Sequence, residues 1–415
     1  MRAALLIVTL LLVASLPASA DSIVQLEALP PGMSSGASVA TQDAVYVFGG
    51  YDAWQTWPSS ALDTIARVDA QTGAVTIMNA RLPQGLFQAS AVWTGEKAYI
   101  FGGTGQNVSG RGIVEYDPAT DTVQQFDAAL PVDARGASAV WNGHVAYVLG
   151  GVDGPAIVRF DPATKVATRL AHDLPEGYGL YESGAWADGA AYVVGQEDIL
   201  RVDPETGAAS VSKHHLPNAG WAPALASDGT RLYIWGVSSR GDEVMRYDAA
   251  KDALAIMPGR TIILGGSVAA WAGDHALVFG GTSCAPQDYC NRAYSYAPQA
   301  VVPKPSIAIK EIHYNLYRDQ DSGKVKGEFA VTVNVSNAPV YGQQLLASPT
   351  ITPRLERTTR DVFELARLEV GEYRLFYVVD SPTPGPLACA RFVADSGNSE
   401  FGLLTSDKVC ALVGQ

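Results

Sequence analysis

The chain has 415 residues, of which 47% are hydrophobic and 17% are charged, and its formal net charge is −13 at pH 7. This length allows more than one domain and a sizeable buried core. The acidic balance argues against nucleic acid and anionic membrane surfaces as partners, because both repel a negatively charged protein surface.

The first twenty residues are typical of a secretory signal peptide. Arg2 precedes an apolar run that ends at Leu16, and Ala18-Ser19-Ala20 matches the small-residue pattern of a cleavage site. No other stretch has the length of uninterrupted apolar sequence that a membrane-spanning helix needs. We therefore expect residues 1–20 to be removed, and the mature chain to be secreted or periplasmic, thus extracytoplasmic, without a membrane span.

A hydrophobic strand that ends in glycine recurs six times between residues 46 and 281. The six copies are Tyr46-Val47-Phe48-Gly49-Gly50, Tyr99-Ile100-Phe101-Gly102-Gly103, Tyr147-Val148-Leu149-Gly150-Gly151, Tyr192-Val193-Val194-Gly195, Tyr233-Ile234-Trp235-Gly236 and Leu277-Val278-Phe279-Gly280-Gly281. Their first glycines are 41 to 53 residues apart. That spacing is typical of repeats that each form one small antiparallel sheet of a radial array.

Each copy lies within the same wider pattern. A strand of small residues precedes it, as in Ala89-Ser90-Ala91-Val92-Trp93. A turn such as Asp117-Pro118-Ala119-Thr120 follows, because proline presets its own backbone angle and aspartate bonds the backbone ahead. A further strand then ends in Leu-Pro, as at Leu130-Pro131. The pattern predicts four short strands in each repeat.

The double glycine, the Tyr-Asp-Pro-x-Thr turn and the Leu-Pro exit resemble Kelch repeats over residues 22–300. Two features depart from that family: the second glycine is missing in the fourth and fifth copies, and the aromatic residue of the outer strand is often Val, Phe or Ala. The resemblance implies an all-β fold, with a six-bladed Kelch-type β-propeller over residues 21–300. Its architecture would be that of galactose-oxidase-like and sialic acid epimerase-like propellers. A WD-type propeller is disfavoured because no Gly-His and Trp-Asp pair recurs.

The N-terminal strand is expected to close the ring. The sixth repeat ends near Ala297 without an outer strand of its own, whereas residues 22–30 match residues 122–131, which contain the outer strand of the second repeat. If the N-terminal strand completes the last blade, it removes an open sheet edge.

Four cysteines in an exported chain favour two disulfides. Cys284 and Cys290 lie in one loop after the sixth repeat, and Cys389 and Cys410 lie near the C-terminus. Pairing within each set is the simplest expectation. A metal site is the alternative, and the absence of a histidine near Cys284 and Cys290 argues against it.

The composition changes after the repeats. Residues 301–305, Val-Val-Pro-Lys-Pro, predict a stiff linker. Residues 306–415 lack the double glycine and contain alternating runs such as Phe329–Val335 and Tyr373–Val379. Six or seven short strands in about a hundred residues are typical of a β-sandwich of immunoglobulin-like class.

Few residues suggest catalysis or a cofactor. Gly32-Met33-Ser34-Ser35-Gly36 matches a nucleophile elbow, but that motif needs a strand, a sharp turn and a helix, whereas this one lies between strands of adjacent repeats. Residues 319–330 begin like a calcium loop and end in alanine instead of glutamate. The six histidines are interpreted as surface residues. Kelch-class galactose oxidases hold copper through histidines, tyrosines and a crosslinked cysteine, and this sequence offers no such set. We expect no metal and no cofactor, and we identify no catalytic residue.

The topology of a four-stranded blade places binding residues on one face. Loops between the second and third strands lie on the same side as the links to the next blade, and the opposite side carries only tight turns. Length variation is therefore confined to the first side, where function on a rigid scaffold is usually found. The candidate ligand-binding residues are Tyr51, Trp54, Trp57, Phe87, Arg135, Tyr178, Tyr181, Glu182, Trp221 and Tyr289. Alternatively, Trp54 and Trp57 only pin a long loop to its blade.

Two classes of function stay open. We favour a secreted binding or scaffold protein, rather than an enzyme, which recognises a protein or glycan ligand through aromatic stacking and hydrogen bonds on the variable-loop face. The resemblance implies the alternative, a carbohydrate-active enzyme such as a sialic acid epimerase or mutarotase. Arg135, Tyr181 and Glu182 would then bind a carboxylate and transfer protons. An Arg, a Glu and a second base clustered inside the channel would support the enzyme, and a channel filled by Ala, Val and Trp side chains would oppose it.

Overall fold

The computed structural model describes residues 22–26, 28–30, 33, 35–52, 61–195, 197–214, 216, 223–236, 243–257, 266–281, 292–298, 304–348, 354–358, 367–368, 370–380 and 387–412. The predicted signal peptide and the cysteines at positions 284 and 290 lie outside these residues. Every regular element among the described residues is a β-strand, which confirms the all-β prediction. Within the same ranges, no helix is long and apolar enough to cross a membrane.

The first twenty-four strands form six four-stranded antiparallel sheets. In chain order the strands are β1 (Ser22–Gln25), β2 (Ala37–Ala40), β3 (Ala44–Phe48), β4 (Thr64–Asp69), β5 (Val75–Arg81), β6 (Phe87–Trp93), β7 (Ala98–Thr104), β8 (Ile113–Asp117), β9 (Thr122–Gln125), β10 (Ser138–Trp141), β11 (Ala146–Leu149), β12 (Ala156–Asp161), β13 (Val166–Asp173), β14 (Ser183–Ala187), β15 (Ala190–Val194), β16 (Ile199–Val202), β17 (Ala209–Val211), β18 (Ala224–Ser227), β19 (Arg231–Trp235), β20 (Val244–Asp248), β21 (Ala253–Met257), β22 (Ser267–Ala272), β23 (His275–Gly280) and β24 (Ala293–Ala297). Sheets 1 to 5 each consist of four consecutive strands, starting at β2, β6, β10, β14 and β18, and sheet 6 has the order β22-β23-β24-β1.

Each sheet packs against the next through a separate hydrophobic cluster. The second strand of each sheet is buried on both faces, as its β-branched and aromatic residues predict. In β3, Val45 and Val47 pack with Phe279 of sheet 6, whereas Tyr46 and Phe48 pack with residues of sheet 2. Each such side chain contributes about 1.5–3 kcal/mol by leaving water. Because the sixth sheet contacts the first, the repeated sheets form a closed circle, as in a propeller.

The recurring glycines allow the chain to cross the end of each second strand. We call the segment between the fourth strand of one sheet and the first strand of the next a link. Gly150 has a φ of 81°, and a Cβ atom added to it would lie 1.9 Å from the carbonyl oxygen of Gly179 in the link. The N–H of Gly151 donates to that same oxygen at 2.6 Å. In sheet 1, a Cβ atom added to Gly49 would lie 2.1 Å from the carbonyl oxygen of Leu86, and the N–H of Gly50 donates to that oxygen at 2.9 Å. The double glycine therefore serves close backbone approach.

The N-terminal strand β1 lies at the outer edge of sheet 6. It pairs antiparallel with β24, so that Ser22 is opposite Ala297 and Gln25 is opposite Tyr294. The N–H of Leu26 continues the ladder to the carbonyl oxygen of Ala293 at 2.9 Å. This is the pairing that the match between the N-terminus and the second repeat predicts.

The remaining strands form two further sheets around one hydrophobic core. They are β25 (Ser306–Arg318), β26 (Val325–Ser336), β27 (Val340–Ser348), β28 (Arg354–Thr358), β29 (Arg367–Leu368), β30 (Gly371–Asp380), β31 (Leu387–Asp395), β32 (Leu403–Thr405) and β33 (Val409–Leu412). One sheet has the order β25-β26-β30-β28, and the other has the order β29-β27-β31-β32 with β33 also paired to β31. Phe329 of the first sheet and Phe392 of the second belong to the same buried cluster. Cys389 in β31 and Cys410 in β33 form a disulfide, which confirms one of the two predicted pairings.

A turn of the C-terminal sheets contacts the outer strand of sheet 5. The N–H of Ile256 in β21 donates to the carbonyl oxygen of Gly397 at 2.6 Å, and the N–H of Ser399 donates to that of Leu254 at 2.9 Å. Phe401 in the same turn packs against the cluster between sheets 5 and 6. The turn therefore covers part of a sheet edge that would otherwise be open.

Candidate ligand-binding site

Five links meet where the first strands of their sheets begin. At the entry to each first strand one residue has a left-handed backbone, with φ between 54° and 77°: Ser35, Gln88, Gly136, Tyr181 and Gly266. Four backbone hydrogen bonds of 2.8 to 3.1 Å connect them. The N–H of Ser35 donates to the carbonyl oxygen of Gly266, that of Gln88 to Ser35, that of Gly136 to Gln88, and that of Tyr181 to Gly136. We call these five residues the backbone belt. The link into sheet 5 is described only from residue 223 onwards.

A pocket of about 160 Å³ lies inside the backbone belt, between five of the six sheets. Its lining consists of the belt residues and the one or two residues that follow each of them, most of which are glycine, alanine or serine. Small side chains leave room at a position where several strands converge. We call this cavity the axial pocket.

Glu182 is the one carboxyl group among the described residues that line the axial pocket. It is half-buried, and its Oε2 accepts a hydrogen bond from the N–H of Gly179 at 2.7 Å. Burial raises the pKa of Glu182 to about 7, an effect that the hydrogen bond from Gly179 opposes only in part. No described cationic side chain contributes to this shift. Near neutral pH the carboxyl group is therefore present in both protonation states, and can donate or accept a hydrogen bond.

Sheet 4 departs from the other sheets where it accommodates this carboxyl group. A Cβ atom on Gly195 would lie 3.1 Å from Oε1 of Glu182 and 3.7 Å from the ring of Tyr178. Unlike Gly150, Gly195 does not have a positive φ. Burial, and then the charges of Asp198 and Glu182, raise the pKa of Tyr178. The glycine that follows the second strand of sheet 4 therefore lies beside the carboxyl group of Glu182.

We predict that Glu182 makes the protein less stable as the pH rises. Its folded-state pKa of about 7 exceeds the ordinary value of 4.5, so between these values the unfolded chain releases its proton and the folded chain keeps it. The loss of stability grows across this window, reaches at most about 3 kcal/mol, and is constant above it. Glu182→Gln should therefore raise the urea midpoint more at pH 8 than at pH 4. Glu176→Gln, at an exposed site in the same link, is the matched control. Equal gains for Glu182→Gln at both pH values would contradict this prediction.

Of the three candidate residues for an enzyme, Tyr181 and Glu182 lie at one cavity, and Arg135 is held outside its described lining. Tyr181 and Glu182 both line the axial pocket. Arg135 pairs with Asp133, because its Nε lies 2.9 Å from both carboxylate oxygens and its Nη2 lies 2.7 Å from Oδ2. Arg135 is also absent from the described lining of the pocket. The predicted combination of Arg135 with Tyr181 and Glu182 therefore does not form around one cavity in the described part of the chain.

The other candidate residues lie outside the pocket lining or outside the described residues. The rings of Tyr51 and Phe87 contact each other, with centroids 4.9 Å apart. Those outside the described residues are Trp54, Trp57, Trp221 and Tyr289. Ser35 and Gln88 also line the pocket and are not among the predicted binding residues. An alignment of the repeats on their first strands would have found them, because both occupy the position of Tyr181.

Three histidines and the calcium-like segment make contacts that stabilise the fold. Three half-buried histidines approach carbonyl oxygens of neighbouring sheets, with Nε2 at 2.7 Å in each of the pairs His172 with Pro204, His214 with Asp252, and His275 with Ala70. The calcium-like segment forms the turn between β25 and β26, where Oδ1 of Asp319 accepts from the N–H of Ser322 at 2.8 Å. Among the described residues, no three or more potential metal ligands form a group. These three histidines are thus partly exposed, and each also contacts the backbone of a neighbouring sheet.

No protein-family model and no curated protein matches the chain. A solved structure described as "Structure of YjhT" is similar to it, with a TM-score of 0.49 and 16% sequence identity, over 75% of this chain and 99% of that chain. Similarity at this level assigns neither a family nor a function to the chain.

Proposed function

We propose that residues 21–300 form a six-bladed Kelch-type β-propeller that follows a signal peptide over residues 1–20. A linker over residues 301–305 then leads to a β-sandwich of immunoglobulin-like class over residues 306–415. The circle of six sheets and the pairing of β1 with β24 support the propeller. Two sheets around one core support the sandwich. The disulfide between Cys389 and Cys410 supports a secreted or periplasmic location, because such bonds persist in oxidising compartments.

The protein, in this proposal, binds a protein or glycan ligand at the axial pocket and acts as a recognition or scaffold protein. The observation that carries the proposal is Glu182, a half-buried carboxyl group that lines a cavity and has no cationic partner among the described residues. A desolvated polar group lowers stability unless its hydrogen bonds are completed. A ligand in the pocket would complete them. Tyr181, from the link before β14, and Gln88, from β6, add aromatic and amide surface of the kind that orients ligands.

A carbohydrate-active enzyme is the second candidate. The pKa of Glu182, about 7, suits a general acid or base at neutral pH. The engagement of Arg135 by Asp133 argues against it, as does a described lining in which Tyr181 is the only other titratable side chain. These observations favour binding over catalysis.

Binding of residues 21–415 to a glycan array and to a peptide array tests the proposed function. We expect a specific hit that is lost in Ala89→Phe, which fills the axial pocket from its wall. The hit should persist in Val152→Phe, a control on the same face whose side chain is 42% exposed. If Ala89→Phe unfolds, Gln88→Asn replaces it, because asparagine tolerates the left-handed backbone. No hit on either array would overturn the binding function.

Two further measurements separate the alternatives. Loss of the hit only in the double variant Trp54→Ala/Trp57→Ala would move the site from the axial pocket to the long loop of the first repeat. Incubation of a bound sugar with the protein, followed by NMR, tests catalysis. Conversion of that sugar by the natural protein, and its loss in Glu182→Gln, would support the enzyme instead.

A further inference from the structure

We propose that the axial pocket takes a protonated primary amine of its ligand, with Glu182 as the carboxylate that receives it. This inference rests on the proposed function and names the chemical class of the group that the pocket binds. An amino sugar and an alkylamine, such as a lysine side chain or a polyamine, both carry this group. The inference disfavours acidic sugars as ligands.

Among the described residues, Glu182 has an incomplete set of hydrogen-bond partners. One of its two carboxyl oxygens accepts the N–H of Gly179. The other, Oε1, accepts no hydrogen bond from the described residues and lies beside Gly195, 3.1 Å from the position that a Cβ atom would take there. A buried carboxylate is stabilised when an opposite charge lies within hydrogen-bond distance, and such charge-assisted bonds are the strong ones. An ammonium group in the axial pocket would supply that charge.

Several charged and titratable groups lie near Glu182. Tyr178 lies in the same link, and Asp198 precedes β16 close enough to raise the pKa of Tyr178. On the other side, Arg135 acts on Tyr181, but the carboxylate of Asp133 neutralises it at hydrogen-bond distance. Among the residues that the structure describes, this region therefore has no uncompensated positive charge.

Several hydrogen-bond donors near the pocket are already engaged. The N–H groups of four belt residues donate within the backbone belt. The hydroxyl of Ser183 donates to the carbonyl oxygen of Pro223 at 2.5 Å, and that of Ser267 donates to Gly280 at 3.1 Å. A carboxylate ligand would find few donors in the described lining, and it would be repelled by Glu182.

The charge of the protein and the aromatic ring of Tyr181 also favour a cationic ligand. The net charge of −13 favours the approach of cations over anions. The ring of Tyr181 lies beside Gly136, where a Cβ atom would come within 2.9 Å of Cε1. Such a ring adds an aromatic wall, and cations with their neighbouring methylene groups bind well to aromatic faces.

Two matched series of probes test the inference by titration calorimetry on residues 21–415 at pH 7. Cadaverine, 1,5-pentanediol and glutarate share a five-carbon chain, whereas glucosamine, glucose and glucuronate share a sugar ring. In at least one series, the ammonium member should bind about tenfold more tightly than its hydroxyl analogue, since a hydrogen bond to a charged group replaces a neutral one. The acidic member should bind most weakly. The series that shows this order identifies the amino sugar or the alkylamine as the source.

The pH dependence adds a second readout. Cadaverine stays protonated between pH 6 and pH 8, while the ionised fraction of Glu182 rises from about a tenth to about nine tenths, because its pKa is about 7. Affinity for cadaverine should therefore rise about tenfold across this range, and affinity for the diol should not rise. Glu182→Gln should reduce the affinity for cadaverine to that for the diol. Glu176→Gln should leave it unchanged.

The outcomes distinguish this inference from the proposed function. If neutral probes bind as well as amines, or acids bind best, the amine assignment is wrong. It is also wrong if amine binding survives Glu182→Gln, or if neither ammonium probe binds a protein that gives an array hit. In each of these cases, an array hit that is lost in Ala89→Phe would still support the proposed binding function. If no probe and no array component binds, both proposals are wrong.

Discussion

Deletion of residues 21–30 should open the circle of sheets and cause aggregation. The deletion removes β1, which forms four residue pairs with β24, and Leu29, which is only 2% exposed. Loss of a buried leucine costs about 2–5 kcal/mol, and each lost hydrogen bond adds about 1 kcal/mol. The sum is comparable to the 5–15 kcal/mol, roughly, that stabilises a typical domain. The exposed edge of β24 would then be free to pair with other chains.

Urea denaturation and size-exclusion chromatography of the deletion variant, beside the chain that begins at residue 21, measure this effect. Two single variants provide a matched control within β1. Ile23 packs against the cluster between sheets 5 and 6, whereas Val24 is 54% exposed. Ile23→Ala should therefore lower the urea midpoint and Val24→Ala should not. A monomeric deletion variant with an unchanged midpoint would show that β1 does not close the circle.

Gly150→Ala should destabilise the protein by more than about 4 kcal/mol, which is exceptional for a single substitution. The added Cβ atom would meet the backbone of Gly179, with 1.9 Å to the carbonyl oxygen and 2.3 Å to the Cα atom. Backbone cannot rotate away as a side chain can, so the link itself must move. Because the N–H of Gly179 also donates to Glu182, the variant should lower the affinity of the axial pocket as well. Chemical denaturation and ligand titration measure the two effects.

Gly143→Ala separates backbone strain from the steric clash. Gly143 has a φ of 97°, and no atom lies within 4 Å of an added Cβ atom. The left-handed conformation alone should cost about 1–2 kcal/mol for alanine. Similar losses of stability in the two variants would mean that the recurring glycines are needed only for their left-handed backbone conformation. The close approach of the link at Gly150 would then not explain them.

The repeated sheets could be predicted because their signature arises from contacts that recur between adjacent elements. Gly150 is glycine because a link crosses it, and the same crossing recurs at the first repeat, so one local cause leaves several copies in the sequence. The edge position of β1 was predictable for a related reason. A strand that completes a repeat must resemble the outer strands of the other repeats.

Contacts that occur once left weaker signals. The turn at Gly397 covers β21. The only sequence signal for this cover is that β21, Ala-Leu-Ala-Ile-Met, is more hydrophobic than the outer strand β9, Thr-Val-Gln-Gln. The position of Arg135 depends on Asp133, which lies only two residues earlier and competes for Arg135 as an ion-pair partner. Glu182 lines the axial pocket, and its raised pKa follows from burial, which no spacing of residues reveals.

The backbone belt has an electrical consequence for the ligand. Each of its described N–H groups points along the circle toward the preceding sheet, so these peptide dipoles run tangentially and in one sense. A helix N-terminus, by contrast, aims its dipoles at the ligand and presents a positive pole. Tangential dipoles arranged around an axis nearly cancel on that axis. The potential in the axial pocket is therefore set by the side chains on the links, and exchange of a single residue such as Glu182 can change the charge of the preferred ligand while the scaffold stays the same.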